Sequence, residues 1–113
     1  MQNPTNNPLD FFREIGSYVL ENEHGWLNYF INSEGNCYLE NMYIYPSSRK
    51  LQKGTSLLSN LELQAVEMHK CKWLFTSINR HIPQVDINLQ ITLKRGFKFH
   101  SSNNDAIILK KEL

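Results

Sequence analysis

The sequence predicts an α/β domain, α+β in the arrangement of its mixed sheet, on three observations. A run rich in β-forming residues, CYLENMYIY from Cys37 to Tyr45, is stopped by Pro46. Behind it, from Lys53 and Gly54 onward, Leu58, Leu61, Ala65 and Met68 recur at helical spacing on one face. KWLFTSI, from Lys72 to Ile78, then reads as a mostly buried strand. Because it follows a crossover helix, it is expected to run parallel to the strand that ends at Tyr45.

The remaining elements are read in chain order. Residues 1–7, MQNPTNN, are polar and turn-prone and are expected to be a loose terminus. Residues 8–113 are expected to form a single domain. Pro8 suits a first helical turn, and Leu9, Phe12, Ile15 and Val19 recur at steps of three and four, so an amphipathic helix is placed through about Leu20, weakened by Gly16. Trp26 to Asn32 reads as a strand that turns through SEGN into the Cys37 strand, giving a hairpin. After Pro83, a short helix carrying Ile87, Ile91 and Leu93 ends at Gly96, a residue suited to a left-handed stop. FKFH and AIILKK close the domain as an antiparallel pair across the turn from Ser101 to Asp105.

Composition narrows the function. A chain of 113 residues suits one core, and 41% hydrophobic with 12% aromatic residues is a globular balance. The formal charge of +1 lacks the basic excess of a nucleic-acid binder, so no nucleic-acid partner is expected and any basic function is local. No apolar run reaches the roughly 20 residues needed to span a bilayer, and the first seven residues lack a signal peptide's pattern, so a cytoplasmic, non-membrane protein is expected. Cys37 and Cys71 form neither a CxxC pair nor a ligand spacing and are expected to be reduced packing residues. His24, His69, His81 and His100 are scattered, so no metal site is expected. His81, at a strand end after Asn79, is the histidine best placed for a functional role.

The chemistry concentrates in YPSSRKLQKGTSLL. Arg49, Lys50 and Lys53 stand between a strand end and a helix start, where unpaired amides and the helix dipole favour an anion. Thr55 and Ser56 add hydroxyl donors, and Gly54 permits the close backbone approach that a phosphate needs. The same residues also suit a solvated basic turn. The order of the surrounding motifs resembles the GNAT superfamily of N-acetyltransferases, whose coenzyme A loop has the form [QR]-x-x-G-x-[GA] between a strand and a long helix. Here it reads Arg49-Lys50-Leu51-Gln52-Lys53-Gly54. LENMYIYPSSR before it resembles that family's fourth strand, GTSLLSNLELQA its pyrophosphate-binding helix, and LKRGFKF its junction ending in Gly-Phe, so the likeness runs from Leu39 to Leu113.

The resemblance implies an abbreviated GNAT-like fold and an acetyl-CoA-dependent N-acetyltransferase acting on an amine of a small molecule or protein. The backbone of Met42, Tyr43 and Ile44 would pair with the pantetheine arm. Arg49, Lys50, Gln52, Lys53, Gly54 and Thr55 would cradle the pyrophosphate, and Asn79 stands where the family often has a polar residue. Glu40 would take the proton of the attacking amine, and burial beside Tyr38 and Met42 would tune it to that task.

Two departures from the pattern are visible: Gln52 replaces a loop glycine, and Thr92 stands where the family often has the tyrosine that protonates the departing thiolate. The N-terminal part is also short, with one helix before the hairpin where the family usually has a strand and two helices. That leaves an acceptor site that is open, absent or supplied by a partner, a homo-oligomer or larger assembly among the candidates. The competing reading is a degenerate GNAT-like structural or interaction module. Family members this short recur among phage-encoded proteins, so that reading extends to a virion or host-interaction role. Tyr38, Tyr43 and Tyr45 read as hairpin core rather than a nucleic-acid platform, and Lys94, Arg95 and Lys98 as a solvated basic face.

Overall fold

A computed structural model describes residues 8–51, 54–83 and 85–113. The expectation of a loose terminus at 1–7 lies outside the described residues. The chain runs α1 (Pro8–Glu14), β1 (Tyr18–Asn22), β2 (Gly25–Ile31), β3 (Cys37–Ile44), a 3-10 helix (Pro46–Leu51), α2 (Gly54–Glu67), β4 (Trp73–Asn79), α3 (Val85–Lys94), β5 (Lys98–Ser102) and β6 (Ala106–Glu112). The sheet is mixed and has the order β1-β2-β3-β4-β6-β5. β3 and β4 are parallel, as a strand, crossover helix and strand require, and the other pairs are antiparallel.

The first helix is shorter than its periodicity suggests. Gly16 has φ +83°, Ser17 donates its amide to the Phe12 carbonyl and Gly16 donates to that of Arg13. This is the paired closure of a Schellman stop. The chain leaves α1 there, so Val19 and Leu20 belong to a strand that the helical reading did not anticipate. Gly96, at φ +98°, closes α3 in the same way, with Phe97 donating to Thr92 and Gly96 to Leu93. The basic segment after Pro46, read as a loop, is wound into a 3-10 helix.

The core lies between one sheet face and the helices α2 and α3. Leu57, Leu61 and Ala65 of α2 pack against Leu27, Tyr29, Leu39, Leu74 and Leu109 of the sheet, with Val85 and Leu89 of α3 added at its edge. Leu61 and Ala65 are buried and Leu58 packs against the core as the spacing predicts, Leu57 joins them, and Met68 alone of the four departs. Met68 is 65% exposed, because the helix ends at Glu67 and the chain reverses through Lys70 at φ +56°. In α3, Ile87, Ile91 and Leu93 are exposed, while Val85 and Leu89 face the core. Glu62 is half-buried and pairs with Lys111 and Arg95.

On the opposite sheet face Phe30, Tyr38 and Phe75 stack ring on ring across β2, β3 and β4 at 5.1 and 4.8 Å. Tyr38, expected in the hairpin core, is instead held by this stack on the face away from the core cluster. α1 lies near the β1 edge of the sheet, where Phe12 meets Trp26 with 5.6 Å between ring centroids.

Candidate functional site

The site arises from an interrupted ladder. β3 and β4 pair only from Cys37 to Leu39 and from Leu74 to Thr76. β3 then continues to Ile44 in register with β2, while β4 continues to Asn79 in register with β6. The two strands part immediately after Leu39, where β3 also carries a bulge. Asn28 lies opposite Asn41 and Tyr29 opposite Leu39, so Glu40 is the extra residue. A bulge bends its strand and increases its local twist. Here that distortion coincides with the start of the gap.

The gap is a cleft of about 470 Å³. Glu40, Asn41 and Met42 line it from β3, Thr76 to Asn79 from β4, Leu58 from α2, and Asn88, Thr92 and Arg95 from α3 and the turn after it. Four of the residues singled out from sequence, Glu40, Met42, Asn79 and Thr92, therefore meet at one cavity. Tyr43 and Ile44 are on the same strand but do not line it, and the Tyr43 ring sits against Trp26 and Tyr45. Arg49 and Lys50 lie on the 3-10 helix, and Gly54 and Thr55 open α2. Gln52 and Lys53 lie outside the described residues.

Local bonding modifies several roles. Glu40 is exposed rather than buried beside Tyr38 and Met42, and its Oε1 accepts a hydrogen bond from Asn28 Nδ2 at 3.3 Å. The bulge explains the difference, because a side chain on an extra residue is not held in the packed alternation of the strand. Thr92 Oγ1 donates to the Asn88 carbonyl at 2.7 Å, so its proton is engaged within α3. Asn79 Oδ1 accepts the His81 amide at 2.8 Å. His81 itself is exposed and its Nε2 lies 3.1 Å from Asp105 Oδ1, and it is not among the residues lining the cleft. Arg95, read as part of a solvated face, is half-buried against Glu62 and lines the cavity.

The turn between β1 and β2 braces both ends of the basic segment, which the sequence reading missed. Asn22 Nδ2 donates to Ser56 Oγ in the first turns of α2 at 3.1 Å, and His24 Nδ1 lies 3.0 Å from Ser48 Oγ in the 3-10 helix. Gly25 lets the start of β2 close on the end of β3, since a Cβ there would overlap the Tyr43 carbonyl. No sequence signal identifies such a brace, because its members are 24 and 34 residues apart.

Beneath the site, burial pushes the Cys37 thiol up to about 12 and the Tyr29 phenol up to about 12, and it raises Cys71 as well. Both cysteines are unbridged and buried, which agrees with a packing role. Among the described residues no group of histidine, cysteine and carboxylate side chains is arranged to hold a metal ion.

Solved structures of acetyltransferases superpose on this chain. A GNAT family acetyltransferase from Elizabethkingia anophelis, with acetyl-CoA bound, superposes with a TM-score of 0.74 over 98% of this chain and 85% of its own, at 16% identity. This chain has the GNAT acetyltransferase fold. An IAA acetyltransferase from Bacillus cereus has a TM-score of 0.74 at 14% identity, over 98% of this chain and 87% of its own. PaiA N-acetyltransferase from Thermoplasma acidophilum, in complex with coenzyme A, has a TM-score of 0.69 at 19% identity over 80% of this chain. This chain spans 54% of the length of that protein. No family model and no curated protein matches the sequence. The GNAT fold is thus matched through structure alone.

Proposed function

We propose that this chain binds acetyl coenzyme A in the cleft between β3 and β4 and transfers the acetyl group to an amine. The observation that carries the reading is the parting of two parallel strands at a bulge. It opens a cleft inside a GNAT fold, and solved structures with that fold include proteins with coenzyme A or acetyl-CoA bound. The slot is lined by apolar Met42, Leu58, Ile78 and Phe97 together with polar Asn79, Asn88 and Thr92. That mixture suits the amide-bearing pantetheine arm, which the backbone of Met42 would engage inside the slot and that of Tyr43 and Ile44 beyond it.

At the α2 end, Arg49, Lys50, Gln52, Lys53, Gly54 and Thr55 would hold the pyrophosphate against the helix start. Glu40 would accept the amine proton as nitrogen attacks the thioester carbonyl. The carbon–sulfur bond then breaks, and the thiolate leaves and takes a proton. A thiol with a pKa near 8.5 is a tolerable leaving group, so water can supply that proton where no phenol stands.

One specific observation favours a second reading, a GNAT-fold binding module without turnover. The Thr92 proton, at the position of the expected acid, is already donated to Asn88. Calorimetric titration of acetyl coenzyme A, followed by a coenzyme A release assay with benzylamine, a lysine-bearing peptide and a peptide with a free N-terminus, separates the two. Binding with turnover supports the enzyme, binding without turnover supports the module, and no binding at millimolar ligand rejects both.

A further inference from the structure

Asn28 is a polar side chain buried at 1% exposure, in the middle of β2 opposite the bulge. Its Nδ2 donates to Glu40 Oε1 at 3.3 Å and to Ser17 Oγ at 3.1 Å. Ser17 Oγ in turn donates to the Tyr29 carbonyl at 3.0 Å. The direction of the amide is fixed by this arrangement, since only a donor can face a carboxylate. A three-membered chain therefore runs from the backbone of β2 to the carboxylate on the bulge of β3.

Stability gives no reason for an amide at this place. Its Oδ1 is buried and takes no donor among the described residues, a cost that an apolar side chain of similar size would not carry. Ser17 keeps its bond to Tyr29 without Asn28, and the exposed Glu40 carboxylate keeps water. What the amide supplies is direction. An extra residue in a bulge has no ladder partner to set the path of its side chain. The hydrogen bond from Asn28 sets it, tying Glu40 to β2 at the rim of the cleft.

We propose that Asn28 is a positioning residue of the site, holding the Glu40 carboxylate on the bulge in the orientation from which it takes the proton of the acceptor amine. The proposal rests on the acetyl-transfer reading. It predicts that an apolar residue at position 28 is tolerated by the fold and not by the chemistry. Asn28 and Glu40 act as one unit, so their losses do not add.

The test compares the unmodified chain with Asn28→Leu, Glu40→Gln and the double variant. It measures coenzyme A release with the best amine of the panel, the calorimetric affinity for acetyl coenzyme A, and the thermal midpoint. The expected result is a fall in kcat of about ten- to a hundredfold for Asn28→Leu, the size of a charge-assisted hydrogen bond. Cofactor affinity is unchanged, the midpoint is equal or higher, and no further loss appears when Asn28→Leu is added to Glu40→Gln. An unchanged kcat, a second full loss in the Glu40→Gln background, or a loss explained by a lowered midpoint overturns the proposal. An unmodified chain that binds acetyl coenzyme A and turns over no amine overturns the acetyl-transfer reading, and the proposal with it. That failure is told apart by the absence of any starting rate.

Discussion

Cys37 and Tyr29 tie the chemistry of single residues to the stability of the whole fold. The Cys37 thiol is raised from 9.0 to about 12 and the Tyr29 phenol from 10.0 to about 12, in both cases chiefly because burial disfavours the charged form. A group with a raised folded pKa contributes its full stabilisation below its ordinary value and loses it as pH rises toward the folded value. The urea midpoint is therefore expected to be insensitive to these groups up to about pH 8, then to fall steadily from pH 9 toward pH 12. Cys37→Ala should flatten part of that fall. A midpoint that stays level between pH 9 and pH 11 would show that these side chains open to water without unfolding.

Also at the scale of residues, Glu40 was legible as an acidic residue in a β-forming run, whereas its bulge was not, because a register shift depends on the partner strand. Asn28 was invisible for a related reason. In WLNYFI it reads only as a polar position in an alternating strand, and its partners Ser17 and Glu40 come together only through pairing. Glu40→Gln is expected to lower kcat by about 10²–10⁴-fold with acetyl coenzyme A affinity intact. Thr92→Tyr should raise turnover or leave it unchanged. Steady-state kinetics with a constant amine checks both, and turnover indifferent to Glu40→Gln would remove the base from the mechanism.

Among the elements, types were easier to read than faces and ends. β2, β3, β4, α2, α3 and the closing pair were legible from period, turn residues and crossover logic. The end of α1 was not, because a helical period of Leu9, Phe12, Ile15 and Val19 continues across Gly16, and only the left-handed turn there shows that the chain changes state. In α2 the burial of Leu57, Leu61 and Ala65 rather than Met68 follows from where the helix stops. Leu61→Ala, which empties a fully buried position, should cost about 2–5 kcal/mol, while Met68→Ala should leave the denaturation midpoint close to its original value. Equal effects at the two positions would mean that the helix is rotated from the orientation described.

For the molecule as a whole, the cleft follows from topology. A parallel pair in the middle of a mixed sheet separates after three residues, and the outer partners β2 and β6 keep each strand in place while the inner edges diverge. The basic segment and α2 follow β3 directly, which puts a helix start near one end of the slot. The sequence revealed this order through its motifs, but not the volume or the bracing from Asn22 and His24. Binding of acetyl coenzyme A is the most direct measurement of whether this architecture serves acyl transfer. In isothermal titration calorimetry the unmodified chain should bind with a stoichiometry near one, and the thermal midpoint should rise with ligand concentration as mass action requires. Gly54→Glu, which places a carboxylate at the proposed phosphate seat, should abolish both signals without lowering the midpoint of the ligand-free chain. No heat and no thermal shift with millimolar acetyl coenzyme A would contradict the cofactor assignment. Full binding by Gly54→Glu would move the pyrophosphate away from the start of α2.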